Sequence, residues 1–477
     1  MGQTVTRAPL FEALRDYAAL QNKVAFHTPG HKQGRSMAPE FRSLVGHATL
    51  RLDLTELDEL DDLHHPEGVI QEAQALAAQA FGADGTFFLV NGATAGNHAM
   101  IAAVCDPGDK LIIPRNAHKS VMGGLILSGA RPVYMRPVWD PALSLAHGVT
   151  PETVEAALIE HPDAKGVLVV HPTPFGVASD LRRIAELCHA HGKPLLVDEA
   201  HGAHLHFHPA LPISGMEAGA DMVVQSTHKT LSGLAQAAML HVREGRVTVN
   251  RVRNMLAIVQ SSSPSYLLMA SLDTARRQMA TDGHRLLSAT LALASDARRR
   301  LNEIPGVFVF GPDHCRPGGL FDLDATKLTI TVTGLGLTGF EASRQLNEAF
   351  DIQPETATLH HVLLSVTIGH GQRDLDRVVE AFKAMSQARG PLRQSEALPM
   401  PGDWPVARLT PREAFFARTE TIPFEAAAGR IGAEIVAPEG LLILAPGEVV
   451  TEALITYRRA LQDLGVARAR TLEVVRS

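Results

Sequence analysis

Between residues 85 and 242 the chain repeats one pattern: a short, continuous apolar run, then a helix-like stretch. The apolar runs are Thr86–Val90, Lys110–Pro114, Pro132–Met135, Gly166–His171, Pro194–Asp198, Met222–Gln225 and Ala237–Val242. Ala95–Cys105, Pro151–His161 and Asp180–His191 carry the helical pattern between them. Strands that are apolar on both faces and separated by helices predict a mainly parallel sheet covered on both sides. The chain is therefore read as α/β.

A long helical pattern over Ala270–Glu303 leaves that domain. A second unit follows, with a strand near Lys327–Thr333, a helix near Gly339–Phe350 and a strand near Val362–Thr367. Pro391, Pro399, Pro401, Pro405 and Pro411 then punctuate the chain as a boundary would. The expected division is 1–285 for the N-terminal segment and large domain, 286–388 for a small α/β domain, and 389–477 for a small C-terminal α+β domain. The 477 residues are ample for such a division.

The stretch richest in chemistry is Ser226-Thr227-His228-Lys229-Thr230, directly after a strand. A lysine there is placed to form a Schiff base, because burial and nearby positive charge lower its pKa. One apolar run earlier, the strand ends in Asp198-Glu199-Ala200-His201-Gly202. Lysine and acid at neighbouring strand ends share one crevice. Pyridoxal phosphate requires that pair, a lysine for its aldehyde and an acid for its pyridinium nitrogen. Its phosphate would sit at a helix N-terminus, which Asn91-Gly92-Ala93-Thr94-Ala95-Gly96-Asn97 supplies. Thr94 offers a hydroxyl, and Ser226 and His228 approach from the other side. Each piece alone has a bland reading: a solvated lysine, a capping acid, a glycine turn. Their order is what selects the cofactor.

These residues, with Thr28-Pro29-Gly30-His31-Lys32, Asp53–Leu57, Pro114–Ser120, Ser261–Pro264 and Pro446-Gly447-Glu448, resemble the Orn/Lys/Arg decarboxylases in their short, wingless form. That family belongs to the aspartate-aminotransferase, or fold type I, superfamily of pyridoxal phosphate enzymes. The resemblance implies Lys229 as the Schiff-base lysine, Asp198 as the pyridinium partner, His118 stacked on the ring and His201 lining the pocket. It implies Ala93, Thr94, Ala95, Ser226 and His228 around the phosphate. Ser262 would approach from a neighbouring subunit, hence a homodimer with active sites at the subunit interface, or a higher oligomer of it. Expected is decarboxylation of a basic amino acid: arginine to agmatine first, then lysine to cadaverine or ornithine to putrescine. For a cationic substrate tail the candidate carboxylates are Glu434, Glu355 and Glu448, with Thr28 and His31 lining the substrate side. The acidic cluster Glu56, Asp58, Glu59, Asp61 and Asp62 reads first as a solvated face. Two departures from the family pattern are a shortened Pro438–Ile443 segment and Pro174-Phe175 in place of an aromatic pair.

Other classes keep a handle in the sequence. An aminotransferase or lyase on another amino acid uses the same fold, although no arginine occurs in Leu363–His370 to clamp a carboxylate. Gly334–Gly339 satisfies G-x-G-x-x-G and would suit a nicotinamide cofactor. His204, His206 and His208 alternate, so in a strand they would face one way and suit a zinc hydrolase. The chain has 23 His, which makes metal worth weighing, but no metal is expected. A catalytically silent regulator is a further class, against which intact Lys229, Asp198 and His118 argue.

With 44 Lys+Arg against 51 Asp+Glu, a net charge of -7 argues against nucleic-acid binding. Cys105, Cys188 and Cys315 are too few for a disulfide framework and suit a reducing, cytoplasmic setting. No apolar run approaches the ~18 residues of a membrane span. Charged residues interrupt the N-terminus where a signal peptide needs an apolar core. Met1-Gly2 with Thr6 fits the loose myristoylation pattern, without the polybasic second anchor that a working anchor needs.

Overall fold

A computed structural model describes residues 5–20, 23–316, 318–388, 404–465 and 469–476. Met1, Gly2, Pro391, Pro399 and Pro401 lie outside these. The core is a seven-stranded sheet of β1 (Gly85–Leu89), β2 (Lys110–Pro114), β3 (Arg131–Met135), β4 (Val167–Val170), β5 (Leu195–Asp198), β6 (Met222–Gln225) and β7 (Ala238–Val242), in the order β1-β7-β6-β5-β4-β2-β3. All pairings among β2 to β6 are parallel, and β7 runs antiparallel to both β1 and β6. The exception has a local cause. Only residues 226–237, with the single helical turn Thr227–Thr230, join β6 to β7, a length at the lower limit for a parallel crossover.

Alternate residues of each strand feed two different cores, as a period of two requires. Leu111, Ile113, Leu168, Leu196 and Val224 pack with the helices Gly92–Val104, Lys119–Ser128 and Val249–Val259. Ile112, Val167, Val169, Val197 and Val223 pack with the helices Pro151–Glu160 and Leu181–Ala190. At Gly96 a Cβ would lie 2.4 Å from Val224 Cγ2, so that glycine lets its helix rest directly on β6.

A 37-residue helix, Tyr266–Asn302, crosses position 285 unbroken. Its residues up to Leu287 join the core beneath the large sheet, and those from Ala294 join a separate core. That second core is built on the strands β8 (Phe308–Val309), β9 (Lys327–Thr331), β10 (Thr356–Ala357) and β11 (His361–Ser365), in the order β8-β9-β11-β10 and wholly antiparallel. The helices Gly339–Phe350 and Gln372–Gln387 cover it.

The Gly334–Gly339 run therefore lacks the parallel strand–turn–helix unit of a dinucleotide site. Its glycines serve close packing instead: a Cβ on Gly334 would meet Gly306 at 2.7 Å, and one on Gly339 would meet the His361 carbonyl at 2.1 Å. The alternating histidines do not form a strand either. Leu205–Phe207 is a turn of 3-10 helix, which points the three rings apart. His204 pairs with Asp324, His206 reaches Ser214 and His208 reaches Ser288. Among the described residues no cluster of three or more His, Cys, Asp or Glu is arranged to hold a metal.

The C-terminal unit pairs β12 (Thr419–Pro423) with β13 (Thr471–Val475) beside the helix Glu452–Asp463, around Phe424, Ile443, Leu444, Leu454 and Val474. Among the described residues no helix is long and apolar enough to cross a membrane.

Candidate active site

Parallel strands end side by side, so the side chains just beyond them converge on one crevice. Asp198 closes β5 and is 3 % exposed. Asn97, one turn into the helix after β1, donates one amide hydrogen to Asp198 Oδ2 at 2.9 Å and another to Ser120 Oγ at 2.9 Å. Ser120 Oγ lies 2.8 Å from His118 Nδ1, which also accepts from the Ser120 backbone and caps the helix Lys119–Ser128. One buried amide thus ties the acid to the histidine. Burial lowers the His118 pKa, with Asp198 pulling the other way.

Lys229 stands in the single turn Thr227–Thr230 after β6. Its Nζ is 3.1 Å from His201 Nε2. Burial lowers the lysine's pKa, opposed by the charges of Asp198 and Glu355. His201 is pushed well below the ordinary histidine range by burial and then by the cations Lys327 and Lys229. An amine with a depressed pKa beside a neutral imidazole is suited to covalent chemistry on a carbonyl.

The turn after β1 has the backbone of an anion site. Gly92 adopts φ +72°, the following helix runs 13 residues, and Ala93 and Ala95 put no bulk before its free N–H groups. Thr94 is exposed, while Ser226 is buried and His228 half-buried with its pKa lowered by burial. Asn91 Oδ1 accepts from Ser261 N at 3.2 Å, placing the exposed Ser262 next to this turn. The donor set fits pyridoxal phosphate: an amine, a buried carboxylate, an imidazole and a helix N-terminus around one crevice. Asn97 Oδ1 and His201 Nδ1, both buried there, have no hydrogen-bond partner.

Other sequence candidates lie elsewhere. His31 bonds Asp53 at 3.0 Å, and Thr28 is exposed. Glu434 accepts from Glu473 N at 3.2 Å within the C-terminal unit. Of the other two tail carboxylates, Glu448 is taken by Arg115 and Glu355 reaches the crevice, 3.6 Å from His201.

Sequence reasoning passed over three buried groups. Glu199, beside Asp198, is fully buried and its carboxyl is pushed up to about 8 by burial. It takes the Gly215 N–H and lies 2.6 Å from the Gln225 amide. Gln225 in turn meets His241 Nε2 at 3.0 Å, and His241 Nδ1 meets Thr86 Oγ1 at 2.8 Å. Burial holds His241 at about 3, so this relay across three strands is uncharged at neutral pH.

A carboxyl raised on folding binds its proton more tightly in the native state, so its contribution to stability is complete below the unfolded value near 4.5 and is lost as pH rises towards about 8. Glu199→Gln cannot ionise. Its stability, followed by urea unfolding from pH 5 to 8, is expected to lack the decline that the unaltered chain shows over that interval.

Arg115 is the second: it forms a buried bidentate pair with Glu448, one contact at 3.1 Å, which takes that carboxylate away from a substrate tail. The guanidinium lies 4.0 Å from the Tyr134 ring centroid and 4.7 Å from that of Trp404. The pair clamps the C-terminal unit to the loop that carries His118. Lys327, buried at the start of β9, is the third. Its signal was a lysine opening an apolar strand, which reads equally as a solvated strand end.

A family model described as "Orn/Lys/Arg decarboxylase, major domain" matches residues 8–374. An arginine decarboxylase of Bacillus subtilis (strain 168) is 48 % identical over 455 residues, 94 % of this chain and 92 % of the relative. One from Halalkalibacterium halodurans is 46 % identical over 457 residues, covering 95 % and 93 %. Among solved structures, lysine decarboxylase A of Pseudomonas aeruginosa superposes with a TM-score of 0.84 at 24 % identity, covering 99 % of this chain and 81 % of that one. A Sphingomonas wittichii serine palmitoyltransferase shares the fold more distantly, with a TM-score of 0.55 at 18 % identity over 68 % of this chain and 78 % of that one.

Proposed function

The chain belongs to the Orn/Lys/Arg decarboxylase family, enzymes that cleave CO2 from basic amino acids, and we propose that it converts arginine to agmatine with pyridoxal 5'-phosphate. Lysine to cadaverine and ornithine to putrescine are the next candidates. The observation that carries the chemistry is the convergence of Lys229, Asp198 and His118 at the ends of adjoining strands. What favours arginine is the name borne by relatives 44–48 % identical over more than nine-tenths of the chain.

When bound, the cofactor supplies an electron sink for the pair left behind by the departing carboxylate. Lys229 would hold its aldehyde, and Asp198, fixed by Asn97, would keep the ring nitrogen protonated. His118 would hold the ring. The backbone from Ala93 to Ala95, with Thr94, Ser226 and His228, would hold the phosphate. His201 excludes water beside the lysine.

We assign residues 5–285 to the large domain, 286–388 to the small domain and the chain beyond to a third, and we propose a homodimer. Val24, Phe26, Leu44 and Ile258 are large apolar side chains left exposed, suited to cover by a second copy. Ser262, exposed just beyond the helix that carries Ile258, would lie at that interface.

The deciding experiment offers arginine, lysine and ornithine separately to the purified protein and identifies the amine formed. Agmatine as the preferred product supports the proposal. Preference for either other substrate replaces arginine, and no amine from any of the three rejects it.

A further inference from the structure

Lys327 opens β9 in the small domain and is 2 % exposed, a setting in which an ammonium must be answered by polar partners. Its Nζ donates to Ser365 Oγ and lies 3.4 Å from Glu355 Oε2, to which Ser365 also donates. The other carboxylate oxygen, Glu355 Oε1, lies 3.6 Å from His201 Nδ1. That nitrogen is buried and has no hydrogen-bond partner. Across the ring, His201 Nε2 is 3.1 Å from Lys229 Nζ. A path of polar atoms therefore runs from the small-domain sheet, through one imidazole, to the reactive lysine of the large domain.

We infer that His201 carries protons to and from Lys229, and that Glu355 is the positioning residue that receives and returns them through His201. A Lys229 N–H bond breaks as an N–H bond forms at His201 Nε2. At the same time the His201 Nδ1–H bond breaks and an O–H bond forms on Glu355. The imidazole is neutral before and after, Lys229 is left as an amine, and the carboxylate becomes a carboxylic acid. The reverse transfer restores the starting charges. This inference rests on the proposed role of Lys229 as the reacting amine.

It also reassigns Glu355. Glu355 Oε2 is taken by Lys327 and Ser365 and Oε1 faces His201, so neither oxygen is left open to a guanidinium tail. The same two partners fix its oxygens, leaving Oε1 turned to His201. The charged and titratable groups facing His201 are Glu355, Lys229, Lys327, His118 and His204. His204 is itself paired with Asp324, so the cations dominate and keep His201 neutral, the form that passes a proton without storing it. At 3.6 Å the Glu355–His201 pair is slightly longer than a hydrogen bond, as catalytic pairs often are before substrate binds.

The test uses the holoenzyme. Glu355→Gln is isosteric, and retained visible absorbance of the cofactor certifies its fold. Expected are a kcat lowered about 100-fold, a KM changed by less than about threefold, and a shift of the pH midpoint of that absorbance to lower pH. The direction follows because the lost carboxylate favours the protonated nitrogen at Lys229. His201→Ala should show a similar loss of kcat, and imidazole added to the buffer should restore at least about tenfold. A raised KM with unchanged kcat in Glu355→Gln makes Glu355 a tail anchor and overturns the relay, as does an unmoved midpoint or failure of imidazole to rescue. If no basic amino acid is turned over, the absorbance midpoint still decides the relay independently of the substrate.

Discussion

Lys229→Ala is expected to release no measurable amine, a loss of at least about a thousandfold relative to the unaltered chain. The reason is confined to one atom. Nζ is the amine that burial keeps reactive and that lies 3.1 Å from His201, and alanine removes it without disturbing the turn. The backbone bond from Lys229 N to Ser226 O stays at 3.0 Å, and among the described residues the side chain makes no ion pair whose loss would unfold the domain. Thermal stability should therefore stay within about 1 kcal/mol. Lys229→Arg sharpens the result, because a guanidinium keeps the positive charge but cannot become a neutral nucleophile. It should be as inactive as alanine, with the visible absorbance of the cofactor gone in both. CO2 release unchanged in the alanine variant would refute the role given to this lysine.

The sequence disclosed those features that depend on local pattern. Continuous apolar runs placed all seven strands to within a residue or two, because burial in the sheet keeps most of each strand apolar. Motif order placed Lys229 and Asp198 at adjoining strand ends, and β5 and β6 do pair side by side. The direction of β7 was not legible, since reversal depends on the length and course of the 226–237 connection and not on the composition of the strand. Neither was the fate of the alternating histidines. Alternation faces one way only in an extended chain, and Gly202 and Pro209 bracket a tight turn instead.

Residues whose importance comes from pairing between distant positions were hidden for another reason. Lys327 and Glu355 lie 28 positions apart, and Arg115 and Glu448 lie 333 apart. In a single sequence Lys327 and Arg115 look like surface charges while Glu355 and Glu448 suggest contacts to a substrate tail, and only burial shows that each has its partner within the chain. Asn97 differs again. It sits inside the quoted glycine turn, but a helix interior asparagine carries no signal until Asp198 and Ser120 are seen on either side of its amide.

Glu448→Ala is expected to destabilise the chain by about 3–5 kcal/mol, the cost of leaving a buried guanidinium without its carboxylate. Arg115 cannot escape to water, because Tyr134 and Trp404 lie against it. Glu448 Oε2 also accepts from Ala445 N at 2.8 Å, so the turn that presents the carboxylate loosens as well. Calorimetry should show a lower transition temperature for this variant. Activity should fall too, since His118 lies three residues beyond Arg115 and depends on the same loop. A paired variant separates the two effects. Arg115→Met with Glu448→Leu replaces the ion pair by apolar groups, which often recovers most of the lost stability. The main-chain bond from Leu442 N to Arg115 O, 2.7 Å long, is independent of both side chains and still holds the loop. If the clamp acts through position alone, turnover recovers together with stability in the double variant. A double variant that is stable but inactive would instead give Arg115 or Glu448 a direct part in the reaction, and the clamp would no longer explain their burial beside the crevice.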